Sequence, residues 1–244
     1  MKKLLYTSFI ALAIGASACT AAQVQQTVDG VLAGTTTSAP VTQSEVASGL
    51  RQALEVGIKN GAGKASQTDG YYKNSLIRIP FPPEVQRVEN TLRKIGLGSE
   101  VDRFVMTLNR GAEDAAKSAV PIFVSAIKQM TIQDAWGILK GDKDAATQYL
   151  KRTTSTQLTN AFKPVIQQSL QKTNATKYYA DLVNQYNQIP LVQKVNPNLD
   201  EYATQKAIDG LFLLVADEEL KIRENPIART TELLRRVFSK ENQS

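Results

Sequence analysis

Acid–base chemistry in this chain has to rest on carboxylates, because its 244 residues contain no histidine and a single cysteine, Cys19. Without imidazole there is no Ser-His-Asp or Cys-His nucleophile. Structural and catalytic zinc sites need Cys or His in number, so no metal ligand set is expected. One thiol cannot close a disulfide within the chain. The acidic clusters are Glu113-Asp114 and Asp217-Glu218-Glu219. Glycoside hydrolysis needs two carboxyl groups facing each other across a cleft, and sequence neighbours on a helix do not provide that. These clusters therefore read as solvated helix faces. A carboxylate-based hydrolase acting on glycan stays open as an alternative function.

Two further patterns fail on spacing. Gly61-Ala62-Gly63-Lys64-Ala65-Ser66 resembles the end of a phosphate loop, but Ile58 stands where the first glycine belongs and Ala65 where Ser or Thr belongs. Asp142-Lys143-Asp144 opens like a calcium loop, yet Thr147 replaces its glycine and Thr153 its final glutamate. No cofactor is expected.

The sharper candidates are apolar and cationic. Tyr71, Tyr72, Ile77, Ile79 and Phe81 concentrate in a Pro-rich stretch with Arg78 among them. In an extended chain Ile77, Ile79 and Phe81 point one way and Arg78 the other. Tyr71, Tyr72, Arg78 and Phe81 are the candidate ligand or partner contacts, with Arg78 free to meet an anionic headgroup or carboxylate. Asn109, Arg110 and Glu113, with Lys206 and Asp209, are polar residues set in apolar helical stretches at spacings that share a face, and form a candidate buried polar network.

The elements positioning these residues read as helical. Val46, Leu50, Leu54 and Ile58 recur every four residues, with Gly61 and Gly63 expected to end that helix. An extended segment through Phe81 leads to a helix beginning near Pro83 and stopping at Gly96 and Gly98. Ser99 with Asp102 is expected to cap the next helix, Thr131 with Asp134 a short one, and Asn198 with Glu201 the most hydrophobic one. Pro121 must kink or restart the chain between them. Asp142 or Asp144 opens a helix, and Leu158 to Leu170 and Tyr178 to Tyr186 read as further helical segments. Leu211 to Ala216 is apolar all round, as for a helix at the centre of a bundle. The fold class is all-α: a single multi-helix domain over 44–240 with one extended Pro/aromatic loop segment.

Residues 1–18 read as a secretory signal. Lys2 and Lys3 precede an apolar stretch too short for a transmembrane span, which needs ~20 residues. Ala16-Ser17-Ala18-Cys19 resembles a bacterial lipobox, with Ala16 where Leu is usual, and also suits ordinary signal peptidase. The sole cysteine at the required position favours lipidation of Cys19 as the membrane anchor. By resemblance to lipoprotein sorting in Gram-negative cells, Thr20 in place of Asp points to the inner leaflet of the outer membrane, facing the periplasm. Residues 19–43 read as a flexible tether of roughly 25–30 Å reach. Losing Lys2 and Lys3 lowers the formal charge from +6 to +4. That charge suits lipid headgroups or cell-wall polymers, and nucleic acid is not an expected partner.

Several runs together resemble the bacterial family called domain of unknown function 4197. They include Asn74-Ser75-Leu76-Ile77-Arg78-Ile79-Pro80, Lys94-Ile95-Gly96-Leu97-Gly98, Pro121-Ile122-Phe123, Ala175-Thr176-Lys177-Tyr178-Tyr179 and Lys206-Ala207-Ile208-Asp209-Gly210-Leu211-Phe212. The resemblance covers nearly everything from Ser44 to Phe238 and implies an envelope location and a helical fold. It carries no activity or catalytic residues. The expected function is a non-enzymatic envelope binding module whose partner is a lipid, an envelope polymer or another envelope protein; a purely structural oligomer is the third reading. An apolar groove beneath Tyr71 to Phe81 would favour the binding module.

Overall fold

The computed structural model describes residues 41–238, apart from 189, 192, 226–228, 230 and the side chain of Leu182. The signal segment 1–18, Cys19 and all but the last residues of the expected tether lie outside the described residues.

Helix α1, Gln43–Ala65, starts at Thr42, whose hydroxyl accepts from the Glu45 amide while the Glu45 carboxylate accepts from the Thr42 amide. Both orphan donors at the helix start are thereby met. The four-residue apolar stripe of Val46, Leu50, Leu54 and Ile58 is buried. The helix does not end at Gly61 or Gly63, and the reason is a second stripe. Gly49, Ala53, Gly57, Gly61 and Ala65 also recur every four residues and are buried. Gly57 and Gly61 let α1 lie close against the long helix α8, Leu199–Glu224, while Gly49 faces Leu233 and Val237 near the end of the chain. A Cβ added at Gly61 would stand 3.2 Å from the carbonyl oxygen of Leu214. The glycines serve interhelical approach, which outweighs their cost in helix propensity of about 1 kcal/mol each.

Between α1 and α8 the chain forms α2 (Gln86–Lys94), α3 (Gly98–Ala116), α4 (Ala119–Gln129), α5 (Ile132–Lys140), α6 (Ala145–Gln171) and α7 (Ala175–Tyr186). A short α9, Glu232–Val237, follows α8 and returns to α1. All regular elements among the described residues are helical, in one packed domain. The core runs where α6 and α1 flank α8, with α3 packed along α6 and α8. Within the α8 run 211–216, Leu213 is the one exposed residue, which fits its place at the centre.

Three boundary expectations change. The segment through Leu158 and Leu170 is no separate helix, because α6 is continuous over 27 residues with Pro164 inside it. Its inner stripe of Leu150, Thr154, Leu158, Phe162, Ile166 and Leu170 keeps a strict four-residue step, and Pro164 sits on the exposed side. Ser99 does not cap α3, which begins one residue earlier off a tight turn in which the Leu97 amide donates to the Leu92 carbonyl; Asp102 pairs with Arg93. Asn198 stands at the start of α8 but its side chain makes no capping bond; Asn196 donates to Glu201 and accepts from the Asn198 amide. The Thr131–Asp134 capping box forms as expected.

Residues 66–82 turn and then run extended along the bundle. Ile77, Ile79 and Phe81 are buried while Arg78 and Pro80 are exposed, the alternation that pleated backbone imposes. With no neighbouring strand, Asn109 stands in for one. Its amide oxygen accepts from the Ile79 amide and its amide nitrogen donates to the Ile79 carbonyl, both at 2.8 Å.

Candidate functional site: the Phe81 groove and the polar network behind it

The polar network is centred on Glu113, 4 % exposed on the inner face of α3. One carboxylate oxygen accepts from the amides of Tyr71 and Tyr72, both at 3.1 Å, and the other from the Arg110 guanidinium. Arg110 also donates to Asp69, whose backbone is left-handed at φ 69°. Hydrogen bonds from Lys73 and then Arg110 hold the Asp69 carboxyl below the usual carboxylate range. The Tyr72 ring carries two guanidinium groups, Arg78 at 5.3 Å and Arg110 at 5.5 Å from its centroid. Asn109, Arg110 and Glu113 are thus brought together, and with Asp69 they fasten the 69–79 segment to α3.

Lys206 and Asp209 do not join this network. Lys206 is exposed and Asp209 accepts from Gln205 four residues away, because the face of α8 toward residues 71–77 is formed by Ala207 and Gly210. Tyr71 is fully buried and donates its hydroxyl to the Ala207 carbonyl at 2.6 Å, which removes it from the surface contacts. Burial first, and the Glu113 charge second, push its phenol far above the ordinary tyrosine range. Tyr72 and Arg78 remain accessible and border a shallow depression with Lys73, Ser75 and Pro80.

The acidic clusters need a correction. Glu113, Glu218 and Glu219 are not on solvated faces; all three are buried. Glu219 accepts from the Ala146 and Thr147 amides and the Thr147 hydroxyl at the start of α6, and from Arg223. It is a negative charge at a helix N-terminus, the favoured end of the helix dipole. Glu218 accepts from Asn60, Lys64 and Lys221. Burial works to raise its pKa, but hydrogen bonds from Lys221 and Asn60 and the charges of Lys221 and Lys64 outweigh it, so the carboxyl lies below its usual value. Sequence reasoning missed these because Glu218 and Glu219 point to opposite neighbours, α1 and α6, a property of α8 being flanked on both sides. Arg223 four residues after Glu219 was the one signal available.

The groove lies on the other side of Phe81. Phe81 and Phe104 pack with centroids 5.0 Å apart. They form the floor of a groove of about 430 Å³, walled by Leu92, Leu97 and Val101 on the α2–α3 hairpin and by Tyr178 and Tyr179 on α7. That volume falls within the ~300–1,000 Å³ of ligand sites. Local sequence explains the wall. Gly96, at φ 90°, takes the left-handed turn that folds α3 back on α2. The α2 helix has no fully buried residue and offers only Val88 and Leu92 to the core. Leu97 stays 43 % exposed and Tyr178 67 % exposed. Arg103 and Lys172 also line this groove; Arg103 pairs with Glu100, while the Lys172 ammonium has no partner among the described residues. Of the candidate contacts, Phe81 alone reaches this groove. Tyr178, Tyr179 and the hairpin leucines went unrecognised, since only packing places them opposite Phe81.

Among the described residues no three His, Cys, Asp or Glu side chains come together to hold a metal, and no helix is long and apolar enough to cross a membrane. No curated protein and no solved structure matches the chain. Residues 40–239 match the model of the family described as protein of unknown function (DUF4197), and with four-fifths of its length so covered the chain belongs to that family.

Proposed function

We propose that the protein is a non-enzymatic binding module of the cell envelope, held at the outer membrane by lipid on Cys19, and that the Phe81 groove binds the acyl chain of an anionic amphiphile. The groove itself is the observation that carries this reading. Its lining is aromatic and aliphatic, it is open at the surface, and Lys172, which has no partner among the described residues, lines it together with Arg103 and offers charge to an acidic end group. What speaks against a carboxylate hydrolase is the use already made of the buried acids: Glu113, Glu218 and Glu219 are each held by amides or cations. A carboxylate whose oxygens already accept such hydrogen bonds is poorly placed to exchange a proton with a substrate.

The test is displacement of a dansyl-labelled fatty acid from the purified protein. Leu97→Asp places a charge in the groove wall at a partly exposed site. It should weaken binding by about tenfold or more, the equivalent of one lost apolar side-chain contact, with little change in melting. Lys172→Glu should weaken the fatty acid more than the corresponding fatty alcohol. Equal binding by wild type and Leu97→Asp would sink the groove reading. The anchor is tested separately by Cys19→Ser, which should release the protein from the membrane fraction or stall its processing; unchanged mature mass and fractionation would refute lipidation.

A further inference from the structure

A second cavity, of about 410 Å³, opens beside the first and differs from it in character. Four parts of the chain meet there: the turn before α2 brings Glu84, α7 brings Tyr179 and Tyr186, the connection after α7 brings Lys194, and the first turn of α8 brings Tyr202. The connection is held against α7 by Asn187, which donates to the Val195 carbonyl and accepts from its amide, both at 2.8 Å. Tyr179 donates its hydroxyl to the Asn196 carbonyl and Tyr202 to the Pro80 carbonyl, so these two offer the cavity chiefly ring surface. Burial, with the Glu84 charge adding to it, pushes the Tyr179 phenol up to about 12. Tyr202 shifts in the same direction for the same causes, with Tyr179 contributing.

Two side chains of opposite charge, Glu84 and Lys194, line this cavity. Among the described residues Glu84 and Lys194 have no ion pair or side-chain hydrogen bond, with each other or with any neighbour. This sets them apart from the saturated carboxylates of the core. Tyrosine rings beside a carboxylate attract an organic ammonium ion, and aromatic cages of this kind recognise quaternary ammonium groups. A simple cation would meet repulsion from Lys194, and a simple anion repulsion from Glu84. A ligand carrying both charges satisfies both.

We propose that this tyrosine-walled cavity binds a small zwitterion, an alkylated ammonium joined to an anionic group, with the ammonium against Glu84 and the rings of Tyr179, Tyr186 and Tyr202 and the anion at Lys194. The proposal stands apart from the acyl reading of the Phe81 groove, although Tyr179 borders both cavities.

Phosphocholine is the probe, followed by titration calorimetry on the purified protein, with choline and inorganic phosphate as single-charge controls. Phosphocholine should bind at least about tenfold more tightly than either control. Glu84→Gln and Lys194→Gln, both at exposed positions that leave folding intact, should each remove roughly that tenfold. Tyr186→Ala should weaken phosphocholine and choline alike. Vesicles of phosphatidylcholine separate two sources of the same chemistry: binding to them as well as to phosphocholine assigns the site to a lipid headgroup, and binding to phosphocholine alone assigns it to a free solute. Each Gln variant should still bind the dansyl-labelled fatty acid as wild type does. Absence of phosphocholine binding, or binding indifferent to Glu84→Gln, overturns the proposal and leaves the Phe81 groove untouched.

Discussion

The α1–α8–α6 side of the domain and the edge built by α2, the start of α3 and α7 treat charge and surface in opposite ways. On the first side every buried acid is matched. Glu219 closes the start of α6, Glu218 gathers Asn60, Lys64 and Lys221, and glycines and alanines on α1 bring backbones close. On the second side α2 buries no residue fully, Leu97 and Tyr178 stay open, and Glu84, Lys172 and Lys194 lack partners among the described residues. An unsatisfied charge costs little at a wet surface and a great deal in a core. Leaving several together beside apolar walls is affordable only at the edge, and that is where binding is expected.

The largest effect should come from breaking the saturated side. Glu219→Ala leaves the Ala146 and Thr147 amides and Arg223 without their shared acceptor. It should cost about 3–5 kcal/mol in urea unfolding, and a loss under 1 kcal/mol would mean the α6 start is capped by water. Phe81→Ala sits on the boundary between the regions. It should destabilise by about 3 kcal/mol and also weaken the fatty-acid probe, whereas Glu219→Ala should leave the affinity of the folded protein for that probe intact. If Phe81→Ala alters stability alone, the groove floor is not a binding surface.

Acid titration sharpens the same contrast. The carboxyls of Glu218, Asp69, Glu45 and Asp134 all lie below their ordinary values when folded. A depressed folded pKa stabilises the fold above the unfolded value and loses that contribution as pH falls through the folded one. Stability should therefore hold down to about pH 5 and decline below about pH 4. Glu218→Gln should flatten the decline, and a slope unchanged by it would show that Glu218 does not contribute. Arg78→Ala should shift stability by no more than about 0.5 kcal/mol, since the side chain is exposed and stacked on Tyr72. Its effect is expected on binding of anionic vesicles; unfolding instead would make Arg78 a structural partner of Tyr72. The smallest change is expected from deleting residues 1–40, because α1 is capped within itself by Thr42 and Glu45. A drop in melting temperature of more than a few degrees would show that the deleted segment docks.

Much of the framework was legible because it depends on local periodicity. The stripe from Val46 to Ile58, the alternation of Ile77, Ile79 and Phe81, and the Thr131–Asp134 cap all follow from backbone geometry acting over a few residues. Asn109, Arg110 and Glu113 could be grouped because three- and four-residue spacing puts them on one helical face. The amides they would serve, those of Tyr71, Tyr72 and Ile79, lie 30 or more positions away and leave no local trace.

The sequence by itself determined that the chain is helical, where most helices begin, which stripe of each turns inward, and that histidine chemistry is absent. Those are consequences of residue type and short-range spacing. Only the tertiary structure decided the rest. Gly61 reads as a helix stop until α8 is laid against it, and Glu218 and Glu219 read as surface until α1 and α6 close from either side. The Phe81 groove exists only where α2, α3 and α7 leave a gap, and the tyrosine cavity only where α7, the connection after it and the start of α8 meet the turn before α2. Burial and enclosure belong to pairs of elements distant in the chain, so no single element can specify them.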